Sequence, residues 1–150
     1  MHSLAIDDEF VALAKMVAML RPHGSCDAAT SAGQGFDLFC KALKDGCPYR
    51  LVTIDINMPD ANGLRLLVRL SREEQRHGAP RARKLIVTAD SSEPNVWAAL
   101  TGECDGFLVK PVRQAVLLAK LGSLGLLPPS VLHHAERGPH QTEDLTAPEE

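Results

Sequence analysis

The sequence predicts an α/β fold in which five parallel strands form one sheet covered by helices on both faces. Three observations predict it. Short, β-branched apolar runs alternate with segments of helical periodicity. The two clearest runs are continuously apolar, as strands buried on both sides are. Acidic, hydroxyl and lysine residues recur where the runs end. A chain of 150 residues is long enough for one such domain with its own core.

Taken in order, the strand candidates are 3–7, 25–30, 49–54, 84–88 and 105–109. Leu51-Val52-Thr53-Ile54 and Leu85-Ile86-Val87-Thr88 are the clearest. Cys26-Asp27-Ala28-Ala29 is the weakest, because its residues have little strand preference. Between the strands lie helices. Phe10, Leu13, Ala14, Val17 and Leu20 form the first apolar stripe, stopped by Pro22 and Gly24. Phe36, Phe39, Cys40 and Leu43 form the second, ended by Gly46 and Pro48. Leu64, Leu67, Val68 and Leu70 form the third. A short fourth helix is expected to begin near Pro94, with Ser92 as its cap. A fifth runs from about Val112 to Leu126. Strands alternating with helices in this way imply a parallel sheet. From Pro128 onward the chain turns polar, and residues 128–150 are expected to be a mostly disordered tail behind a domain of residues 1–127.

Composition narrows the function classes. Hydrophobic residues make up 45% and charged residues 23%, ordinary for a globular protein. A net charge of -3 argues against a nucleic-acid partner held through phosphates. There is no apolar run of membrane-spanning length and no signal peptide is expected, so the expected partners exclude a membrane and the expected location is the cytoplasm. Cys26, Cys40, Cys47 and Cys104 show no zinc spacing and read as reduced thiols.

In an open parallel sheet, ligands bind beyond the carboxyl ends of the strands. Asp7-Asp8-Glu9 ends strand 1, Asp55 ends strand 3, Thr88-Ala89-Asp90 ends strand 4 and Lys110-Pro111 ends strand 5. Each piece alone has an ordinary explanation as a helix cap, a polar turn or a surface charge. Together they suit phosphoryl chemistry. If strands 1 and 3 are neighbours, Asp7, Asp8 and Asp55 converge and repel one another, and a hard cation such as Mg2+ relieves that repulsion. Lys110 and Thr88 would offer a positive charge and a hydroxyl to phosphoryl oxygens.

Four segments resemble the receiver domains of two-component response regulators of the CheY-like kind. They are Ala5-Ile6-Asp7-Asp8-Glu9; Ile54-Asp55-Ile56-Asn57-Met58-Pro59 with Asn62-Gly63-Leu64; Val87-Thr88-Ala89; and Gly106-Phe107-Leu108-Val109-Lys110-Pro111. The resemblance covers about Ser3 to Leu126. It implies a flavodoxin-like doubly wound sheet of order 2-1-3-4-5. It implies that Asp55 accepts a phosphoryl group from a histidine kinase or phosphotransfer protein, with Lys110 and Thr88 assisting. It further implies Mg2+ held by Asp7, Asp8, Asp55 and the carbonyl of Asn57, and a cis bond between Lys110 and Pro111. Thr88 and Phe107 look like the switch pair that biases the face of helix 4, strand 5 and helix 5 toward a downstream protein target. Asn57 and Asp90 occupy the positions that tune phosphoryl lifetime, and their short polar side chains imply rapid self-hydrolysis. The chain is then a signalling switch that modifies only itself, stand-alone or excised from a larger protein. A receiver fold without phosphorylation and a phosphohydrolase are the alternatives; Asp55-Ile56-Asn57 lacks the second acid of the latter. The stretch Glu73 to Arg83 is longer and more basic than the family norm, and Trp97 faces either the core or the partner surface.

Overall fold

A computed structural model describes residues 1–90 and 102–136. It contains β1 (Ser3–Ile6), α1 (Phe10–Leu20), β2 (Cys26–Ala29), α2 (Ala32–Lys44), β3 (Leu51–Asp55), α3 (Gly63–His77), β4 (Arg83–Thr88), β5 (Gly106–Val109), α4 (Gln114–Ser123) and α5 (Pro129–Glu136). The strands form one parallel sheet in the order β2-β1-β3-β4-β5. This is the expected doubly wound arrangement. The helix expected near Pro94, and Trp97 within it, lie outside the described residues.

Successive strand residues point to opposite faces, and each face has its own apolar core. Leu4, Ile6, Val52, Ile54 and Ile86 pack with Phe39 of α2 and with Leu66, Leu67 and Leu70 of α3. Ala5, Leu51, Leu85, Val87 and Leu108 pack on the other side with Leu13, Met16 and Leu20 of α1 and with Leu117 and Leu121 of α4. Both sets are buried, which explains why the strand sequences show no polar alternation. The weak β2 forms because its neighbours hold it: Ser3 to Ile6 pair with Cys26 to Ala29, and the Tyr49 hydroxyl donates to Asp27 at 2.6 Å.

Two details depart from the expected helices. Phe10 is 78% exposed and Ala14 is also exposed, while Met16 is buried. The buried arc of α1 is centred on Leu13, Met16, Val17 and Leu20, so the helix is rolled toward Met16 and away from Phe10. Residues 129–136, expected to belong to a disordered tail, form α5 instead. Pro129 suits a first helical turn, the Val131 N–H donates to the Pro128 carbonyl at 3.1 Å, and Leu132 covers Gly122 of α4. Gly122 leaves that room: a Cβ there would lie 2.6 Å from Leu132 Cδ1. The polar composition after Pro128 masked this short apolar contact. Residues 137–150 lie outside the described residues.

The basic stretch between α3 and β4 has an electrostatic anchor. Lys84 is fully buried, pairs with the Glu74 carboxylate and donates to the Ala82 carbonyl at 3.1 Å. Glu74 in turn accepts from the Ala82 N–H at 2.7 Å. Asp105 joins from the start of β5, accepting from Arg81 at 2.8 Å and from the Lys84 N–H at 2.8 Å. Burial by itself raises the Asp105 carboxyl's pKa, but these donors outweigh it and hold the carboxyl below its ordinary value.

Removing one member of the buried pair leaves an uncompensated charge. Glu74→Ala is expected to lower stability in urea unfolding by about 3–5 kcal/mol, whereas replacing both Glu74 and Lys84 by apolar residues of similar volume costs much less. A loss under about 1 kcal/mol for Glu74→Ala would show that Lys84 finds water or another partner.

Candidate functional site

The carboxyl ends of β1, β3, β4 and β5 meet on one edge of the sheet, and backbone hydrogen bonds place each functional side chain there. The Asp7 N–H donates to the Ala29 carbonyl at 3.0 Å, continuing β1 by one residue. Asp55 closes β3, and the Lys110 N–H donates to the Thr88 carbonyl at 2.7 Å, extending β5 past Val109. The Lys110–Pro111 peptide is cis, as the resemblance implies.

Around Asp55 the backbone is tightly specified. Its Oδ1 accepts from the Asn57 N–H at 3.1 Å. The Gly63 N–H donates to the Ile56 carbonyl at 3.2 Å, and a Cβ on Gly63 would lie 2.6 Å from the Asp55 carbonyl oxygen. Only glycine lets the first turn of α3 approach the acidic strand end this closely. Asn62 caps α3 by accepting from the Leu64 N–H at 2.8 Å. Asp60 caps α2 instead of its own helix, accepting from the Ala32 and Gly33 N–H groups at 3.2 Å each. The loop after Asp55 is thereby tied to both helices on that face.

Asp7, Asp8 and Asp55 come together as expected. Each offers an oxygen, and these oxygens lie within 4.8 Å of one another. Asp7 and Asp55 are buried, while Asp8 is exposed. Lys110 binds the cluster: its Nζ lies 3.0 Å from Asp7 Oδ2, 3.3 Å from Asp55 Oδ2 and 2.8 Å from Glu9 Oε2. Glu9 was legible only as part of the acidic end of strand 1; its contact with Lys110 spans 101 residues of sequence and comes from the fold alone.

Charge and burial set the protonation states. Burial is the main force raising the Asp55 pKa, the Asn57 N–H opposes it and neighbouring Asp7 adds to it, so Asp55 rises to about 6. Lys110 goes the other way. Burial disfavours its ammonium, but the hydrogen bonds to Glu9 and Asp7 and the charge of Asp55 prevail, holding its pKa above lysine's ordinary value. At neutral pH the site therefore holds an ammonium among carboxylates.

The remaining predicted residues sit around this cluster. Thr88 is fully buried at the end of β4, where its hydroxyl donates to the Asp90 carbonyl at 3.2 Å and accepts the Asp90 N–H at 3.1 Å. Phe107 lies on β5 opposite Ile86 and is half-buried, on the side of the sheet that also carries the α2–α3 core. A cavity of about 420 Å³ opens beside the cluster, lined by Asp7, Glu9 and Lys110 on its polar side and by Val11, Met16 and Val112 on its apolar side.

Comparison with known proteins agrees with this fold. Residues 4–122 match the family model of the response regulator receiver domain. The TorCAD operon transcriptional regulatory protein TorR of Escherichia coli is 27% identical over 123 residues, covering 82% of this chain and 49% of TorR. The chain spans about half the length of the curated relatives it matches. Among solved structures, a CheY-like receiver domain protein from Methanospirillum hungatei superposes with a TM-score of 0.63 at 25% identity, covering 90% of this chain and 95% of that one. The CheX–CheY–BeF3–Mg2+ complex from Borrelia burgdorferi superposes with a TM-score of 0.68 at 22% identity, covering 83% of this chain and 88% of its match, which establishes a shared fold.

The raised pKa of Asp55 fixes the sign of a stability effect. An unfolded aspartate titrates near about 3.9, whereas the folded Asp55 titrates near about 6. Folding therefore takes up a proton between those values, and the ionised carboxylate costs stability above them. Without divalent metal, Asp55→Asn is expected to be more stable than the parent at pH 7.5 by roughly 1–3 kcal/mol, with the gain fading as pH falls from 6 to 4. Thermal unfolding across that range checks it; a gain that grows on acidification contradicts the assignment.

Proposed function

Because this chain belongs to the response regulator receiver domain family, we propose that Asp55 is its phosphoacceptor, taking a phosphoryl group from the phosphohistidine of a sensor kinase or phosphotransfer protein. The observation that carries this reading is the Lys110 ammonium set 3.3 Å from Asp55 and 3.0 Å from Asp7 at the edge where three carboxylates converge. In the transfer, an Asp55 Oδ forms a bond to phosphorus as the phosphorus–nitrogen bond to imidazole breaks, and the donor histidine leaves with the electron pair. Asp55 titrates near about 6, so it is mostly ionised and nucleophilic at neutral pH. Lys110, already beside it, follows the negative charge onto the phosphoryl oxygens.

The carboxylate cluster fits a divalent cation: oxygens of Asp7, Asp8 and Asp55 lie within 4.8 Å of one another, and one acid is solvent-facing. Those three residues and the Asn57 carbonyl would hold Mg2+, which when bound supplies positive charge to the phosphoryl oxygens. Thr88 would turn its hydroxyl from Asp90 toward the phosphoryl group. Phe107 would then move with it and bias the surface around β5 and α4 toward a downstream protein. Asn57 and Asp90 border the acyl phosphate and, being short and polar, admit water to it, so the modified state decays quickly. The domain acts as a signalling switch in the cytoplasm, spent and reset on itself. The output partner is a protein; the transcriptional role of relatives such as TorR belongs to proteins about twice as long.

Incubation with acetyl phosphate and Mg2+ tests the assignment by mass spectrometry. One added phosphoryl group is expected, lost in Asp55→Asn and on chelation, and formed about 100-fold more slowly in Lys110→Ala. Failure to gain mass with both acetyl phosphate and a phosphorylated kinase would overturn it.

A protein donor needs more than the chemical cluster. Val11, 64% exposed, lines the adjoining cavity, and its chain neighbour Phe10 is 78% exposed. Phe10→Ala is expected to slow transfer from a phosphohistidine protein about 10-fold or more while leaving acetyl phosphate reactivity unchanged. Equal losses with both donors would place the defect in the site itself.

A further inference from the structure

The outer face of α3 carries a row of arginines. Arg65, Arg69, Arg72 and Arg76 are spaced four, three and four residues apart and are all exposed. At 3.6 residues per turn they fall within about 60° of the helix circumference and extend about 16 Å along it. They lie opposite the buried Leu67, Leu70 and Glu74. Arg76 pairs with Glu73 at 2.8 Å, and Arg69 stacks on the Phe36 ring at 4.0 Å. Among the described residues Arg65, Arg69 and Arg72 have no carboxylate partner in an ion pair. Helices of ordinary solvated character interleave both signs; here four arginines meet one acid, Glu73.

Its complement is in the same chain. Residues 1–136 contain as many Asp and Glu as Lys and Arg, so the net charge of -3 resides in residues 137–150. That segment holds Glu143, Asp144, Glu149 and Glu150 against the single Arg137. Its two acidic pairs are six residues apart and span up to about 20 Å when extended, a match for the arginine row. From Glu136, where α5 ends, to Glu149 the chain reaches up to about 45 Å, more than the diameter of a domain this size. Covalent attachment also gives the segment a high effective concentration.

We propose that the arginine face of α3 docks the acidic segment 143–150 of the same chain. Guanidinium forks bind carboxylates in bidentate fashion, and the tether compensates for the weakness of each exposed pair. When docked, the segment shields α3 from other acidic proteins.

The test uses the full chain. In two-dimensional NMR, the quadruple variant Glu143→Gln, Asp144→Asn, Glu149→Gln, Glu150→Gln is expected to shift the backbone amides and arginine Nε–H signals of α3. The parent should move to those same positions at about 0.5 M salt, where exposed pairs are screened. Arg69→Glu with Arg72→Glu should shift signals of residues 143–150 in return. Arg69 and Arg72 are exposed, and the dispersion of the β-strand amide signals in each variant checks that folding is kept. Superimposable α3 signals overturn the proposal. So do shifts that grow with protein concentration, which would assign the face to a second copy.

Discussion

The Lys110 ammonium is the interaction on which the site depends. It lies within 3.3 Å of Asp55, 3.0 Å of Asp7 and 2.8 Å of Glu9, and without it these acids would face one another across a partly buried edge. Its effect is incomplete. Burial, with a smaller contribution from Asp7, still pushes Asp55 up to about 6, and one ammonium faces three acids there. A surplus of that kind suits a place where a cation and a phosphoryl group exchange contacts.

The scaffold holds this edge by backbone means. Two separate apolar cores clamp the sheet from either side, so the ends of β1, β3, β4 and β5 cannot shift independently. The Asp55 loop is fastened by the Asn57 N–H, by the close approach of Gly63, and by Asp60 reaching across to the first turn of α2. The acidic side chain is thus set by local turn chemistry, and only its partners come from a distance.

The opposite pole has a different electrostatic character. Glu74, Lys84 and Asp105 bind the end of α3 to the starts of β4 and β5 through buried or half-buried charge. Such pairs contribute little net stability compared with apolar packing, but they fix one register because a slip would strand a charge. The long basic stretch before β4 is therefore part of the framework, and the arginines beyond it on α3 are left facing outward.

The sequence alone determined the sheet, the helices α1 to α4 and the chain positions of Asp7, Asp8, Asp55, Thr88 and Lys110. Local rules are enough for that: continuous apolar runs mark strands buried on both faces, and Asn62-Gly63 marks a capped helix start with a close backbone approach. Tertiary structure decided what local rules do not see. Glu9 meets Lys110 because β1 and β5 end on the same edge, a contact between residues 101 apart. Phe10 faces solvent because the sheet accepts Met16 and rolls α1 accordingly. Residues 129–136 fold as a helix because Gly122 leaves space for Leu132, which a polar composition does not reveal. In each case the deciding term is the shape or charge of a surface distant in sequence. Periodicity tells which side of an element is apolar, but only the packed neighbour selects which of those residues it covers.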